Sequence, residues 1–164
     1  MLIEKTKLKG LIIVRSPVYK DHRGFFKEIY KNKILKKELI FDCLSHSKKN
    51  TIRGLHFQKK NMQAKFITVV EGKILDVVVD LRKNSKTFGN HFAITMNYDS
   101  NFSMFIPKSF AHGFACLSKT CTLYYRCTKY RHQKSETTLR WNDPELNIKW
   151  GIKKPILSEK DKNG

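Results

Sequence analysis

The hydrophobic residues of this chain fall into short runs that are rich in β-branched and aromatic side chains. Such runs are typical of β-strands, and they read LKGLIIVRSPVY, KFITVVEGKILDVVVDL, HFAITMNY, FSMFIPKSF and CTLYYRCTKY. Turn-forming residues separate them, at 71–73, 85–90, 98–101 and 108–109. The pattern therefore predicts a protein built mainly from short strands.

One segment has a convincing helical pattern. KNKILKKELI can place Ile34, Leu35 and Leu39 on one helix face, whereas Asn142–Glu145 predicts a turn or the start of a short helix. No internal repeat, low-complexity linker or change in composition divides the chain. We therefore predict a single domain over residues 1–164, of the all-β class, folded as a jelly-roll sandwich or barrel with a few short helices.

Composition agrees with a folded domain, since 40% of the residues are hydrophobic and 12% are aromatic. The N-terminal region contains an apolar run of only four residues, with no cleavage site behind it, and no later segment approaches the length of a membrane span. These features predict a cytoplasmic protein with no membrane association. The four cysteines show neither a CxxC pair nor zinc-finger spacing, so we expect reduced thiols.

The formal net charge of +19 raises the question of a polyanionic partner. The 26 lysines far outnumber the seven arginines and are scattered along the chain, whereas nucleic-acid readers gather arginines and aromatics on one face. A small ligand that carries phosphate needs only a few of these charges. We therefore expect most lysines to be solvated and predict no nucleic-acid partner.

Ionisable or polar residues interrupt four of the strand-like segments, where purely apolar residues are expected. An interior charge is costly unless it is paired, and each such residue alone is more often structural. Together in one small β domain they favour a polar ligand cavity. They are Arg53 and His56; Lys65; Asp76 and Asp80; and Tyr124, Tyr125 and Tyr130.

The segment TIRGLHFQ carries the histidine whose role is least obvious from its neighbours. In a regular strand, alternation would put Arg53 and His56 on opposite faces, unless Gly54 introduces a bulge. Metal-binding jelly rolls commonly use an HxH pair on one strand, but here the sequence reads His56-Phe57-Gln58. His112 is the other candidate ligand and lies far downstream, so we predict no metal.

Eight blocks of sequence together resemble the dTDP-4-dehydrorhamnose 3,5-epimerase family, and they occur in the family's order. The resemblance extends over roughly Arg15 to Asp161 and implies a cupin jelly roll, a homodimer, and neither a metal nor an organic cofactor. The blocks are DHRGFFKE, SHSKKNTIRGLHFQ, QAKF, GKILDVVVDLRKNSKTFG, IPKSFAHGF, YYRCTKY, WNDPELNIKW and ILSEKD.

The resemblance implies an acid–base site. In the family, a base and an acid act on opposite faces of a nucleotide-linked 4-keto-6-deoxy sugar, next to its ketone. It assigns His56 as the base with Asp161 as its partner, and Tyr125 as the acid. Lys65 is expected to face the enolate oxygen. Asp76 matches a family position near His56 and Lys65, and a structural ion pair between Asp76 and Lys65 fits equally well.

The resemblance also implies substrate-binding residues. Arg53 matches a diphosphate-binding position, where a guanidinium fork suits phosphate oxygens, and Tyr130 matches a position that stacks on the base. His112 matches a position at the sugar pocket, with a structural histidine at a strand end as the alternative. The other expected residues are Ser45 and Ser47 on the nucleotide wall, and Arg23, Phe25, Phe26 and Glu28 in an N-terminal arm that reaches into the neighbouring subunit's site.

Some residues depart from the family pattern. Phe41 and Cys43 stand where the family has two amide side chains that contact the nucleotide, and Ser109 replaces a usual glycine. The leading prediction is an isomerase that inverts C3, C5 or both in a nucleotide-linked 4-keto-6-deoxy sugar for surface polysaccharide, such as lipopolysaccharide or capsule. One alternative is an epimerase of a GDP-linked 4-keto-6-deoxy-heptose that inverts either one carbon or both. The other is a non-catalytic cupin that binds a sugar nucleotide or nucleic acid.

Overall fold

A computed structural model describes residues Met1–Gly164. The chain forms thirteen strands, two short helices and one 3-10 turn at Gln133–Ser135. The helices are α1 (Asn32–Leu35) and α2 (Glu159–Asn163). The strands are β1 Leu2–Lys5, β2 Ile12–Arg15, β3 Val18–Asp21, β4 Gly24–Lys27, β5 Phe41–Lys48, β6 Ile52–Gln58, β7 Lys65–Glu71, β8 Lys73–Asp80, β9 His91–Asn97, β10 Phe102–Ile106, β11 Phe110–Cys116, β12 Thr120–Cys127 and β13 Glu136–Thr138.

Two antiparallel sheets make up most of the molecule. One has six strands in the order β1-β2-β10-β7-β12-β5, and the other has five in the order β13-β6-β11-β8-β9. Neighbours in space are mostly distant in sequence, as in a jelly roll, so the predicted all-β, cupin-like sandwich is confirmed. Strands β3 and β4 form a separate hairpin.

Three apolar clusters hold these layers together. The largest lies between the sheets and includes Ile67, Val78 and Phe114. A second cluster covers the outer face of the five-stranded sheet, where Trp150 of the C-terminal segment packs, and a third covers the outer face of the six-stranded sheet. Side chains alternate between the faces of a strand, so a polar residue in register with the inner cluster points between the sheets.

The predicted helix over KNKILKKELI is wrong in its extent. Only Asn32–Leu35 is helical, and Lys36 ends the turn in the left-handed conformation with φ of 49°. Ile34, Leu35 and Leu39 still pack against the outer cluster of the six-stranded sheet, because loop backbone can also present apolar side chains to a core. The segment Asn142–Glu145 forms turns and no helix. Neither of the two helices has the length or the hydropathy that a membrane-spanning helix requires.

Candidate active site

A cavity of about 410 Å³ opens between the sheets. Its walls come from β5, β7 and β12 of the six-stranded sheet and from β6, β11 and β13 of the five-stranded sheet. Six of the predicted residues line it: Ser45, Arg53, His56, Lys65, His112 and Tyr125.

A bulge in β6 brings Arg53 and His56 to the same side of the sheet. His56 pairs with His112 of β11, whereas Arg53 pairs with Phe114, so three residues of β6 span two of β11. Gly54 permits this because its φ is +120° and a Cβ there would lie 2.6 Å from the Gly113 Cα. Regular alternation is therefore broken at Gly54, and Arg53 and His56 both reach the cavity.

His56 is paired with a carboxylate from the far end of the chain. Its Nε2 lies 2.5 Å from Oδ1 of Asp161, which is only 3% exposed. Burial alone would raise the pKa of Asp161, but the hydrogen bonds from His56 and Ser158 hold it below its ordinary value. A proton on Nε2 donates to this carboxylate, which leaves Nδ1 of His56 as the nitrogen that can accept another.

The C-terminal sequence explains how Asp161 reaches this position. Ser158 caps α2 by accepting from the Asp161 amide, and its hydroxyl donates to Asp161 Oδ2 at 2.7 Å. Serine at the cap with an acidic residue three positions later resembles a capping box. Ile156 runs beside the start of β6 through a parallel bridge with Thr51. The cap and the bridge together fix the carboxylate beneath His56.

A second histidine–carboxylate pair lies deeper in the five-stranded sheet. His112 Nε2 donates to Oδ2 of Asp76 at 2.8 Å, and both side chains are almost fully buried. The second oxygen of Asp76, Oδ1, has no hydrogen-bond partner. His112 lies within β11, so the prediction of a structural histidine at a strand end is wrong. Asp76 pairs with His112, so the alternative prediction of an ion pair between Asp76 and Lys65 is also wrong.

Tyr125 and Lys65 come from the opposite sheet. Tyr125 lies on the inner face of β12 and is hydrogen-bonded to the Ser45 hydroxyl at 3.1 Å, and its ring lies edge-on to His112 with centroids 6.3 Å apart. Burial raises the pKa of Tyr125 above its ordinary value, so its hydroxyl stays protonated. Burial lowers the pKa of Lys65, and the acidic side chains of Glu136 and Asp76 offset part of this effect.

Arg53 is held at the mouth of the cavity. Its Nε donates to the Ser47 hydroxyl at 2.8 Å and its Nη2 to the His46 carbonyl at 3.0 Å. The guanidinium makes no salt bridge with a carboxylate of this chain, and the Arg53 residue is exposed. It is therefore a positioned cation that can bind an anion from solution.

Several predicted residues do not line the cavity. Ser47 is 4% exposed and lies behind Arg53. Tyr130 is 67% exposed, with its ring 5.9 Å from that of the cavity residue Phe41. The predicted arm residues Arg23, Phe25, Phe26 and Glu28 lie on or just after the β3–β4 hairpin, away from the cavity of their own chain.

Asp80, one of the polar interruptions, is not a cavity residue. Its carboxylate is fully buried and accepts hydrogen bonds from Arg82, Ser85 and Thr87 at 2.7–2.8 Å. These contacts fix the loop between β8 and β9, so the role of Asp80 is structural.

Some cavity residues were not among the predicted site residues. Cys127 follows Tyr125 by two positions on β12 and therefore shares its inner face, a signal that strand alternation carries. Gln58 donates to the Asn61 carbonyl and accepts from the His132 amide. Glu136 of β13 lies opposite Gln58 and pairs with Arg131 and Lys160, and nothing in its local sequence indicates a place in the cavity.

The arrangement is suited to moving a proton across a bound molecule. A histidine that is oriented by a carboxylate lies on one sheet, and a protonated tyrosine with a lysine lies on the other. The histidines and carboxylates form two separate pairs, and no three side chains of His, Cys, Asp or Glu come together as a ligand set. Fold and site together define the class: an acid–base enzyme on a cupin-like jelly roll.

Comparison with known proteins identifies the family. The model described as dTDP-4-dehydrorhamnose 3,5-epimerase matches residues 5–164, and the chain belongs to this family. It is 40% identical to the dTDP-4-dehydrorhamnose 3,5-epimerase of Methanothermobacter thermautotrophicus, over 97% of this chain and 90% of the relative. The predicted family membership and the prediction of an epimerase, an isomerase of nucleotide-sugar biosynthesis, are confirmed.

Solved structures agree in fold. The dTDP-6-deoxy-D-glucose-3,5-epimerase of Legionella pneumophila, in complex with dTDP-4-keto-L-rhamnose, superposes with a TM-score of 0.93 at 36% identity, over 98% of this chain and 89% of that one. ChmJ, a 3′-monoepimerase from Streptomyces bikiniensis in complex with dTDP-quinovose, gives a TM-score of 0.90 at 27% identity, over 96% of this chain and 84% of that one. The fold is thus shared by an enzyme described as a 3,5-epimerase and by one described as a monoepimerase.

Proposed function

We propose that this chain inverts C3 and C5 of a dTDP-linked 4-keto-6-deoxy sugar. The observation that carries the proposal is the placement of the His56–Asp161 pair and Tyr125 on opposite sheets around one cavity. Inversion of a C–H centre needs a base on one face of the ring and an acid on the other. A protein that only binds sugar nucleotides needs neither, which argues against the non-catalytic alternative.

The chemistry uses the ketone at C4. This group acidifies the C–H bonds at C3 and C5, so His56 can remove the proton and leave an enolate with its charge on the C4 oxygen. Asp161 stabilises the imidazolium that forms. The cation of Lys65 stabilises the enolate oxygen. Tyr125 then donates its proton to the opposite face of the carbon, which inverts the centre, and solvent restores both groups.

Arg53 is proposed to bind the diphosphate of the nucleotide. Its guanidinium is fixed by Ser47 and the His46 carbonyl, so little side-chain entropy is lost when it binds an anion. Ser45 borders the same side of the cavity. Phe41 and Tyr130 supply aromatic surface near the mouth, where the base of the nucleotide can stack. The fold likeness to an epimerase complexed with dTDP-4-keto-L-rhamnose supports dTDP as the carrier.

Inversion of a single carbon is the second candidate. The structural similarity to ChmJ, which is described as a 3′-monoepimerase, favours it. In such an enzyme the same base and acid act at one carbon only. A GDP-linked heptose substrate is a third reading, drawn from the altered residues Phe41 and Cys43, and the dTDP-linked ligands of the related structures do not support it.

We also propose that two copies of this chain form a homodimer. The β3–β4 hairpin exposes the aromatic residues Tyr19, Phe25 and Phe26, which are 60%, 44% and 64% accessible in the single chain. Exposed aromatic clusters of this kind mark interaction sites, and the proposed partner is a second copy whose cavity this arm borders. We place the enzyme in the cytoplasm, where its four unpaired cysteines can stay reduced.

The test is proton exchange. The protein is incubated in D₂O with dTDP-linked and GDP-linked 4-keto-6-deoxy sugars while NMR follows the protons at C3 and C5. Loss of both signals with the dTDP sugar supports the 3,5-epimerase, and loss of one selects the monoepimerase. Exchange with the GDP sugar alone would contradict dTDP as the carrier, and no exchange with any sugar would contradict catalysis.

A further inference from the structure

Two cysteines are diagonal neighbours on the part of the six-stranded sheet that forms the cavity wall. Cys43 on β5 pairs in register with Tyr125, and Cys127 lies two residues further along β12. Both side chains therefore point from the six-stranded sheet toward the cavity, which both of them line. Cys127 is only 2% exposed, whereas Cys43 is half-buried and can be reached from the cavity.

We propose that Cys43 is a reactive thiol and a site of reversible modification by small disulfides inside this cavity, with Cys127 as its positioning residue. Catalysis as proposed above uses neither thiol. The other two cysteines, Cys116 and Cys121, are buried in the core between the sheets, away from the cavity.

The surroundings of Cys43 favour its thiolate. Cys127 lies diagonally across the β5–β12 pairing from Cys43, and Lys65 of β7 pairs in register with Cys127. The neighbouring Cys127 thiol lowers the pKa of Cys43 to about 7 against the opposing effect of burial, and the ammonium of Lys65 acts in the same direction as Cys127. The neighbouring Cys43 and burial raise the pKa of Cys127, so Cys127 stays protonated and Cys43 is the thiolate of the pair. The other charged neighbours are Arg131, which favours the thiolate, and Asp42, which opposes it. Reactive cysteines occupy electropositive, partly exposed sites of this kind.

The reaction is thiol–disulfide exchange. The Cys43 thiolate attacks one sulfur of a disulfide RSSR, the S–S bond breaks, and a Cys43–S–S–R mixed disulfide forms while RS⁻ leaves and takes up a proton. Excess thiol reverses the step. The attached group occupies the cavity beside Lys65 and Tyr125, so we expect it to block turnover, an expectation that rests on the proposed function.

The test uses dithiodipyridine, a disulfide whose released thiopyridone absorbs light. At pH 7 a thiol with a pKa of about 7 is half ionised, whereas an ordinary one is ionised to a few per cent. A more acidic thiolate is also a weaker nucleophile, which offsets part of this gain. The net reaction rate of Cys43 at pH 7 is therefore expected to be about threefold higher than that of an ordinary thiol. We expect one thiol per chain to react about threefold faster than glutathione, with a larger advantage below pH 6.

Matched variants identify the thiol and its neighbour. Cys43→Ser is expected to abolish the fast reaction. Cys127→Ala removes the neighbouring S–H group and is expected to slow the reaction and shift its pH midpoint upward, whereas Cys127→Ser keeps a polar hydrogen beside Cys43 and the low midpoint. Circular dichroism checks the fold of each variant. A fast reaction that survives in Cys43→Ser, or a midpoint unchanged in Cys127→Ala, would overturn the proposal.

The effect on turnover is measured separately with the dTDP-linked keto sugar. We expect treated wild type to lose its activity and to recover it with excess thiol, while treatment leaves the activity of Cys43→Ser at its untreated value. Full turnover by the modified wild type would overturn the blocking effect. Thiol reactivity needs no sugar, so failure of the proposed epimerase function would appear only in the turnover arm.

Discussion

His56 Nε2 lies 2.5 Å from Asp161 Oδ1, although 105 positions separate the two residues in the chain. The carboxylate has further hydrogen bonds from Ser158 and from the Gly54 amide, so it is held from the C-terminal helix and from β6 at once. It fixes the tautomer of the imidazole and balances the charge the ring gains when it takes a proton. The proposed proton transfer by His56 depends on this contact.

Replacing Asp161 by Asn tests the pair. The amide keeps the shape of the carboxylate but cannot stabilise an imidazolium, so we expect kcat to fall by about 10²–10⁴-fold, the range found for general acid–base groups. The matched control is Glu159→Gln, whose carboxylate lies on the same helix and is 82% exposed, with activity within twofold of wild type. An Asp161→Asn enzyme of near-normal kcat would rule out this role.

Tyr125→Phe separates deprotonation from reprotonation. His56 remains able to remove and return a proton on its own face, so we expect exchange with D₂O to continue while epimer formation falls by about 10²-fold or more. NMR of the sugar reports both rates in one experiment. Tyr124→Phe is the control, because the Tyr124 hydroxyl bonds the exposed Asp42. Equal loss of exchange and inversion would show that Tyr125 is not a separate acid.

Lys65 is expected to set the alkaline limit of activity. Burial lowers its pKa from 10.5, so the cation is lost, and kcat/KM falls, at a lower pH than for an ordinary lysine. Lys65→Gln is expected to reduce kcat/KM by about 10²-fold and to remove this limb of the pH profile. Lys73→Gln, at the exposed start of β8, should leave the profile unchanged. An alkaline limb that persists in Lys65→Gln would assign it to another group.

Asp80 is expected to matter for stability and little for chemistry. Asp80→Asn breaks the buried pair with Arg82 and should lower the free energy of unfolding at pH 7 by about 3 kcal/mol. Asp42→Asn, which breaks the more exposed pair with Arg126, should cost less than about 1 kcal/mol. Urea unfolding of the three proteins compares these values, and equal losses would contradict the burial argument.

The stability that Asp80 contributes is expected to decrease at low pH. Burial alone would raise its pKa, but hydrogen bonds from Arg82, Ser85 and Thr87 lower it below 3.8. When a carboxyl group has a lower pKa in the native state than in the unfolded state, its contribution to stability is complete above the unfolded-state pKa. That contribution is lost as the pH falls through the native-state pKa. The difference between wild type and Asp80→Asn should stay constant from pH 7 to about pH 5 and shrink below about pH 4. A constant difference at low pH would contradict the shift.

The bulge at Gly54 offers a further stability test. Gly54→Ala combines a positive φ with a Cβ 2.6 Å from the Gly113 Cα, so we expect both a lower Tm and reduced activity as His56 moves. Gly89→Ala also has a positive φ, of 77°, but open space around its Cβ, and should cost about 1 kcal/mol from backbone strain alone. Equal effects of the two variants would show that the close contact is unimportant.

Strand alternation and apolar runs predict the positions of several residues of the candidate site. Lys65 opens an apolar strand and Tyr125 interrupts another, so their inward placement could be predicted locally. Arg53 could not be placed that way, because the bulge depends on the close approach of two strands. The contact between His56 and Asp161 joins distant segments, and only the family resemblance pointed to it.

The short helix at Asn32–Leu35 follows from tertiary packing that outweighs local propensity. That residues 1–164 form a single domain stays a prediction.

The most direct measurement is the rate of proton exchange at C3 and C5 of a dTDP-linked 4-keto-6-deoxy sugar in D₂O, for wild type and His56→Asn. Both proteins are first shown to be folded by circular dichroism and to bind dTDP. We expect wild type to exchange both protons and His56→Asn to exchange them at least about 10²-fold more slowly. Exchange by His56→Asn at the wild-type rate would contradict the assignment of His56 as the base.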